Sequence, residues 1–246
     1  MEKGLVSVTF RAKKPEEIIT LAAQAGLTAI EWGGDVHVPH GNIYTAKVVG
    51  EMTRKAGLTV ASYGSYYKCL PGNLTFDAVL ETADALGAKV IRVWAGNKNF
   101  DVAEEAELEQ VYAALTYAVE KAGLRGITVA TEMHNNTLTN TLEGTLTMLK
   151  KVPGLMTYWQ PLYRRTPQEE CAIISRLGKH IVGAHISYWQ DSVQQPLAKA
   201  GERLGRYIDV LNNESRAGFI LLEFVAKHSE QQFFEDAHVL LNPVRK

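Results

Sequence analysis

The 246-residue sequence is poor in cysteine. Its two thiols, Cys69 and Cys171, offer neither a disulfide framework nor a zinc-ligand spacing. It has almost no net charge: 26 Lys and Arg against 27 Asp and Glu leave −1. No dense basic block appears, which argues against nucleic acid or an anionic membrane as the main partner. A small anionic substrate stays open, because it needs only one or two local cations. No apolar run reaches the roughly 18 residues of a membrane helix. The opening MEKGLVSVTF has no long apolar signal stretch, so cytoplasm is the expected location. No linker, low-complexity tract or shift in composition interrupts the chain. One domain over residues 1–246 is therefore expected, and nothing opposes a homo-oligomer.

What the sequence does have is repetition of a pattern. Short β-rich runs recur: LVSVTF (5–10), TAIEW (28–32), TVASYG (59–64), KVIRVW (89–94), ITVATE (127–132), LMTYWQ (155–160), IVGAHI (181–186) and FILLEF (219–224). A helix-like segment follows each. Examples are PEEIITLAAQAG, NLTFDAVLETADALG, EEAELEQVYAALTYAVEKAG and TPQEECAIISRLG. Pro15 suits a first helical turn. Gly26, Gly57, Gly87, Gly123 and Gly178 stand where left-handed residues close helices. Eight strand-then-helix units in about 250 residues predict a (β/α)₈ barrel of the α/β class. A doubly wound open sheet is the alternative, but gives no reason for so even a series.

In such a barrel the chemistry sits at the C-terminal strand ends. Strand side chains alternate between faces. In ITVATEMH, Thr128, Ala130, Glu132 and His134 share one parity, and Ile127 and Val129 take the other. In IVGAHIS, His185 shares a face with Ile181, Gly183 and Ser187. Glu223 ends FILLE, opposite in parity to Leu222 and Phe224. Gln160 ends LMTYWQ. Four adjacent strands thus deliver Glu132, Gln160, His185 and Glu223 to one opening. Two carboxylates, an imidazole and an amide oxygen suit a divalent cation such as Mn²⁺, Mg²⁺, Co²⁺ or Zn²⁺. The plainer alternative is that these groups satisfy one another and water at a barrel rim. Unpaired carboxylates in a closed mouth are costly, and four such groups on consecutive strands favour a site.

All four tryptophans lie at or just beyond strand ends. Trp94 and Trp189 are the expected substrate contacts, since such rings offer large apolar faces at the mouth. Trp32 and Trp159 face the helices by parity. His134 follows Glu132 and is placed to bind a substrate hydroxyl or orient that glutamate. Tyr66, in SYGSYY after the third strand, and Arg11, after the first, complete the expected substrate side. Arg92 points inward, and an inward Arg needs a partner; Glu31 has the right place and charge.

The strand-end series Glu132, Gln160, His185, Glu223, with AGLTAIEWGGDVHVP, TEMHNNTLTNT, GAHISYW and LLEFV in order, resembles the xylose isomerase-like TIM barrels. These are the sugar and sugar-phosphate isomerases and epimerases that share a domain with endonuclease IV. The resemblance covers nearly the whole chain. It implies a divalent metal held by Glu, Asp, His and Glu, with the two glutamates, here Glu132 and Glu223, also moving protons. Gln160 stands where the resemblance expects Asp, leaving the ligand set with two negative charges instead of three. The endonuclease branch is disfavoured. His37 and His40 follow the second strand, but no His follows the third, so its multi-zinc ligand set is incomplete. The activity implied is a metal-assisted sugar or sugar-phosphate isomerase or epimerase working through an enediolate. A lyase or dehydratase on the same scaffold, and a metal-free sugar-binding barrel, are the alternatives.

Overall fold

The eight strand-then-helix units close on themselves. The computed structural model describes residues 1–72, 74–162 and 164–244. Its strands are β1 (Glu2–Val6), β2 (Ala29–Gly33), β3 (Thr59–Gly64), β4 (Val90–Arg92), β5 (Thr128–Glu132), β6 (Met156–Trp159), β7 (Ile181–Ile186), β8 (Tyr188–Gln190), β9 (Val193–Gln195) and β10 (Phe219–Leu222). Its helices are α1 (Pro15–Gln24), α2 (Ile43–Lys55), α3 (Phe76–Leu86), α4 (Glu105–Gly123), α5 (Leu142–Lys151), α6 (Pro167–Leu177), α7 (Glu202–Glu214) and α8 (Glu230–Leu241). The barrel order is β1-β10-β7-β6-β5-β4-β3-β2, and β8 pairs β9 as a separate antiparallel hairpin. This is the expected parallel (β/α)₈ architecture.

Contacts group the chain into two compact units. The first comprises Met1–Glu31, Met52–Thr59 and Trp159–Lys246. Here β10 lies between β1 and β7, with Leu5 opposite Leu222 and Leu221 opposite His185. Gly4 permits the close approach of β1 to β2: a Cβ there would lie 2.3 Å from the Ala29 carbonyl oxygen. The second comprises Trp32–Glu51 and Val60–Tyr158. Here β4 lies between β3 and β5, with Arg92 opposite Ala130, and β5 pairs β6, with Glu132 opposite Tyr158.

The helix boundaries follow local chemistry. Pro15 and Pro167 open α1 and α6 at the first turn, where no amide hydrogen is needed. Thr166 and Glu169 form a reciprocal capping box on α6. Gly26, Gly57, Gly87 and Gly178 all take positive φ, as their positions require. Gly123 does not. It stays within α4, and the left-handed turn falls at Gly126, φ 65°.

Two other boundaries differ from expectation. Residues Ser7–Phe10 form a buried 3₁₀ turn instead of continuing β1. The hairpin β8–β9 adds a pair that the eight-unit pattern does not contain.

One buried carboxyl in the first unit has a thermodynamic consequence. Asp236, on α8, accepts hydrogen bonds from the Leu197 N–H and Gln232 Nε2, both 2.8 Å and both to Oδ1. Burial pushes its pKa up to about 6. The native state therefore holds this proton to higher pH than the unfolded chain does. The stability it contributes is fully present at acid pH and is lost as pH rises through about 6. Asp236→Asn keeps an Oδ1 acceptor and has no proton to lose. Its stability should gain on the parent's between about pH 4 and pH 7 in urea unfolding. A stability difference that stays constant over that range would contradict this account.

Candidate active site

The site is built from strand ends. On β5 the alternation sends Ala130 and Glu132 to the same face. Arg92 is registered beside Ala130, one layer below Glu132, so its long side chain rises to meet the carboxylate. Arg92 Nη1 donates to Glu132 Oε2 at 2.9 Å, and both residues are buried. The guanidinium lies 5.7 Å from the Tyr66 ring centre. Tyr66 stacks near Trp94, with centroids 6.1 Å apart and planes at 29°. Trp94 in turn sits 4.6 Å from the His134 ring. A cation and three aromatic rings thus form one continuous wall beside Glu132.

The loop after β5 is held by threonines. Thr139 Oγ1 donates to the Glu132 carbonyl at 2.6 Å, and Thr137 Oγ1 to the His134 carbonyl at 2.6 Å. These hydroxyls satisfy strand-end oxygens that would otherwise need water. His134 Nδ1 lies 2.6 Å from the Asn135 carbonyl oxygen, so Nδ1 carries a hydrogen and Nε2 is the nitrogen available to a ligand.

On β7, His185 is buried between two carboxylates. Its Nε2 lies 3.3 Å from Glu31 Oε2 and its Nδ1 lies 3.8 Å from Glu223 Oε2. The strands β2 and β7 are separated in the sheet by β1 and β10. Glu31 and His185 therefore meet through the interior and not along the sheet. Glu223 follows β10 directly; its N–H donates to the Ile186 carbonyl at 2.9 Å. Phe224 then takes a left-handed φ of 59°, uncommon for a bulky residue, and its N–H donates to Thr9 Oγ1 at 2.9 Å. That kink ends the strand and fixes the direction of Glu223. One ligand atom each from Glu132, His185 and Glu223 lies within 4.8 Å of the others. The donor set, two carboxylates and an imidazole, fits a divalent cation.

Gln160 is half-buried, one residue beyond β6. Trp159 faces the helix layer, as its parity predicts: its Nε1 donates to Glu170 Oε2 on α6 at 3.2 Å. Trp32 is fully buried. Trp189 lies on β8, 37% exposed, with Nε1 donating to Ser187 Oγ at 3.1 Å. Arg11 is exposed just past the 3₁₀ turn that follows β1. Among the described residues the buried Trp94 Nε1 has no hydrogen-bond partner. The ring of His40 lies 2.7 Å from Tyr63 Oη, and burial lowers its pKa.

A family model described as "Xylose isomerase-like TIM barrel" matches residues 19–187, more than half the sequence. The chain belongs to the xylose isomerase-like TIM barrel family. A comparison with curated protein sequences returned no match. Solved structures share its fold. The probable 3-DHS dehydratase AsbF from Bacillus anthracis superposes with a TM-score of 0.85 at 18% identity, covering 99% of this chain and 100% of that one. D-Psicose 3-epimerase from Clostridium cellulolyticum H10 gives 0.71 at 13%, covering 98% and 97%. AP endonuclease, family 2, from Brucella melitensis gives 0.70 at 16%, covering 100% of both. At these identities the likeness speaks for the fold. No helix among the described residues is long and apolar enough to cross a membrane.

Proposed function

We propose that the protein is a metal-assisted sugar or sugar-phosphate isomerase or epimerase that moves a proton beside a carbonyl. The observation that carries this reading is the approach of the Glu132, His185 and Glu223 ligand atoms to within 4.8 Å of one another. Those three would hold a divalent ion, with Gln160 as a fourth ligand directly or through water. A bound divalent ion would polarise a substrate carbonyl and stabilise negative charge on its oxygen.

The remaining roles fall to the chain itself. One of Glu132 and Glu223 takes the proton from the carbon beside the carbonyl, leaving an enediolate. In an epimerase the other returns a proton to the opposite face; in an isomerase the proton passes to the adjacent carbon. Arg92 keeps Glu132 oriented through their 2.9 Å contact. His134 and Trp94 offer Nε2 and an unpaired indole N–H to substrate hydroxyls, and a buried donor of that kind calls for an acceptor. Tyr66, Trp189 and Arg11 are the other proposed substrate contacts, Arg11 for a phosphorylated sugar. The epimerase named among the similar structures acts on a ketose, which makes ketoses the first substrates to try.

The test is incubation of Mn²⁺-reconstituted protein with ketoses and ketose phosphates in heavy water. One of them should be converted, with deuterium entering the carbon beside the carbonyl. Loss of water from the sugar instead of reprotonation would favour a lyase on the same scaffold. No conversion across the panel, with metal bound, would count against the enzyme and for a sugar-binding barrel.

A further inference from the structure

Two loops carry the rings proposed to meet the sugar, and two asparagine amides tie those loops together. We propose that Asn99 and Asn140 are positioning residues, whose reciprocal clasp sets the Trp94–His134 ring pair that the substrate meets. The inference rests on the substrate roles given to Trp94 and His134 above.

Trp94 lies on the segment after β4 and His134 on the segment after β5. Asn99, on the first segment, accepts at Oδ1 from the Asn136 N–H on the second, at 2.7 Å. Asn140, on the second, accepts at Oδ1 from the Phe100 N–H on the first, at 2.9 Å. Between these two bonds the Leu138 N–H donates to the Ala95 carbonyl at 2.8 Å. An asparagine at a helix start ordinarily satisfies the amides of its own first turn. Neither of these does so. Asn99 stands at the N-cap of the 3₁₀ turn Phe100–Val102 and makes no side-chain bond to it. At the start of α5 the cap is Thr141, whose Oγ1 accepts from the Gly144 N–H. Both amide oxygens are spent across the gap instead. The loops are also pressed together: a Cβ on Gly144 would lie 2.4 Å from the Leu138 carbonyl oxygen and 3.0 Å from the Phe100 Cβ. The Trp94 and His134 rings, one from each loop, have centroids 4.6 Å apart. A single ring contact is weak, so its spacing follows that of the loops that carry it. Glu132 is held separately, by Arg92 at its carboxylate and by Thr139 at its carbonyl. Opening the clasp should therefore move the rings and spare the carboxylate. The rival account is that the clasp adds stability and nothing else.

Asn99→Leu and Asn140→Leu remove the acceptors at similar volume, while Asn99→Asp and Asn140→Asp keep them. Both sites are half-buried, and thermal melts confirm that each variant is folded. In histidine-labelled protein the His134 ring protons feel the ring current of Trp94, and their shift in Trp94→Leu marks its size. In the two Leu variants these resonances should move toward their Trp94→Leu positions; in the two Asp variants they should stay where the parent has them. That comparison needs no substrate. The kinetic arm uses the ketose found by the deuterium screen, D-psicose being the first tried, at saturating Mn²⁺. The Leu variants should raise KM by roughly five- to tenfold, about the worth of one hydrogen bond, with kcat and Mn²⁺ affinity held within about twofold. The Asp variants should restore KM. The inference is overturned if the His134 resonances of the folded Leu variants match the parent's, if KM does not change, or if KM, kcat and Mn²⁺ affinity all worsen together. A parent that converts no ketose refutes the functional reading instead, and the ring shifts still decide whether the clasp holds the pair.

Discussion

The Glu132→Gln, Glu223→Gln double variant is expected to lose turnover by at least the 10²–10⁴-fold that a positioned acid or base supplies. The two carboxylates are the only groups proposed to move the proton, and both are proposed ligands. Glutamine keeps the side-chain size and one oxygen at each position, so packing changes little. It removes proton acceptance altogether and two negative charges from the cation's surroundings. The measurement is kcat on the ketose found by the deuterium screen, with Mn²⁺ raised until the rate no longer responds. Saturating metal separates lost bases from lost affinity. Each single variant should also fall steeply. If the double variant turns the sugar over at the parent rate, the proton-transfer mechanism has no bases left and is wrong.

How much of this was legible beforehand differs from element to element. The barrel was readable because each strand is short, apolar and followed by a helix with its own start and stop residues. Parity alone placed Glu132, His185 and Glu223 at one end, and these three carry the candidate site. The hairpin β8–β9 was not readable. Its turn residues, Asp191 and Ser192, have φ of 51° and 61°, the conformation of a tight hairpin turn that Asn-Gly or Asp-Gly usually signals. Asp-Ser gives a weaker mark. Ser7–Phe10 reads as strand because Val8 and Phe10 alternate with Ser7 and Thr9. The 3₁₀ turn forms with all four buried, and Thr9 spends its hydroxyl on the Phe224 N–H. The partners of inward charges depend on register, which no single strand contains. The sequence suggested Glu31 for Arg92. Two contacts were not legible from it: the register of β4 on β5 sets Arg92 below Glu132, and Glu31 lies beside His185.

Arg92→Met should destabilise the protein by about 3–5 kcal/mol, the usual cost of removing one partner of a buried ion pair. Arg92 is 2% and Glu132 5% exposed, so water cannot replace the guanidinium. The carboxylate left behind would lie in a mouth that already holds Glu223 within reach of the same point. Without the guanidinium that holds it, Glu132 also loses the orientation that a base or ligand needs. Stability and activity should therefore fall together. Pairing the change with Glu132→Gln removes the stranded charge. That double variant should recover much of the lost stability while remaining inactive, because a neutral pair of similar volume avoids the desolvation cost. Urea unfolding of the parent, both single variants and the double variant supplies the four free energies of the cycle. A single-variant loss below about 1 kcal/mol, or additive losses in the cycle, would mean that Arg92 does not compensate Glu132. Its role in holding the glutamate for proton transfer would then have no energetic basis.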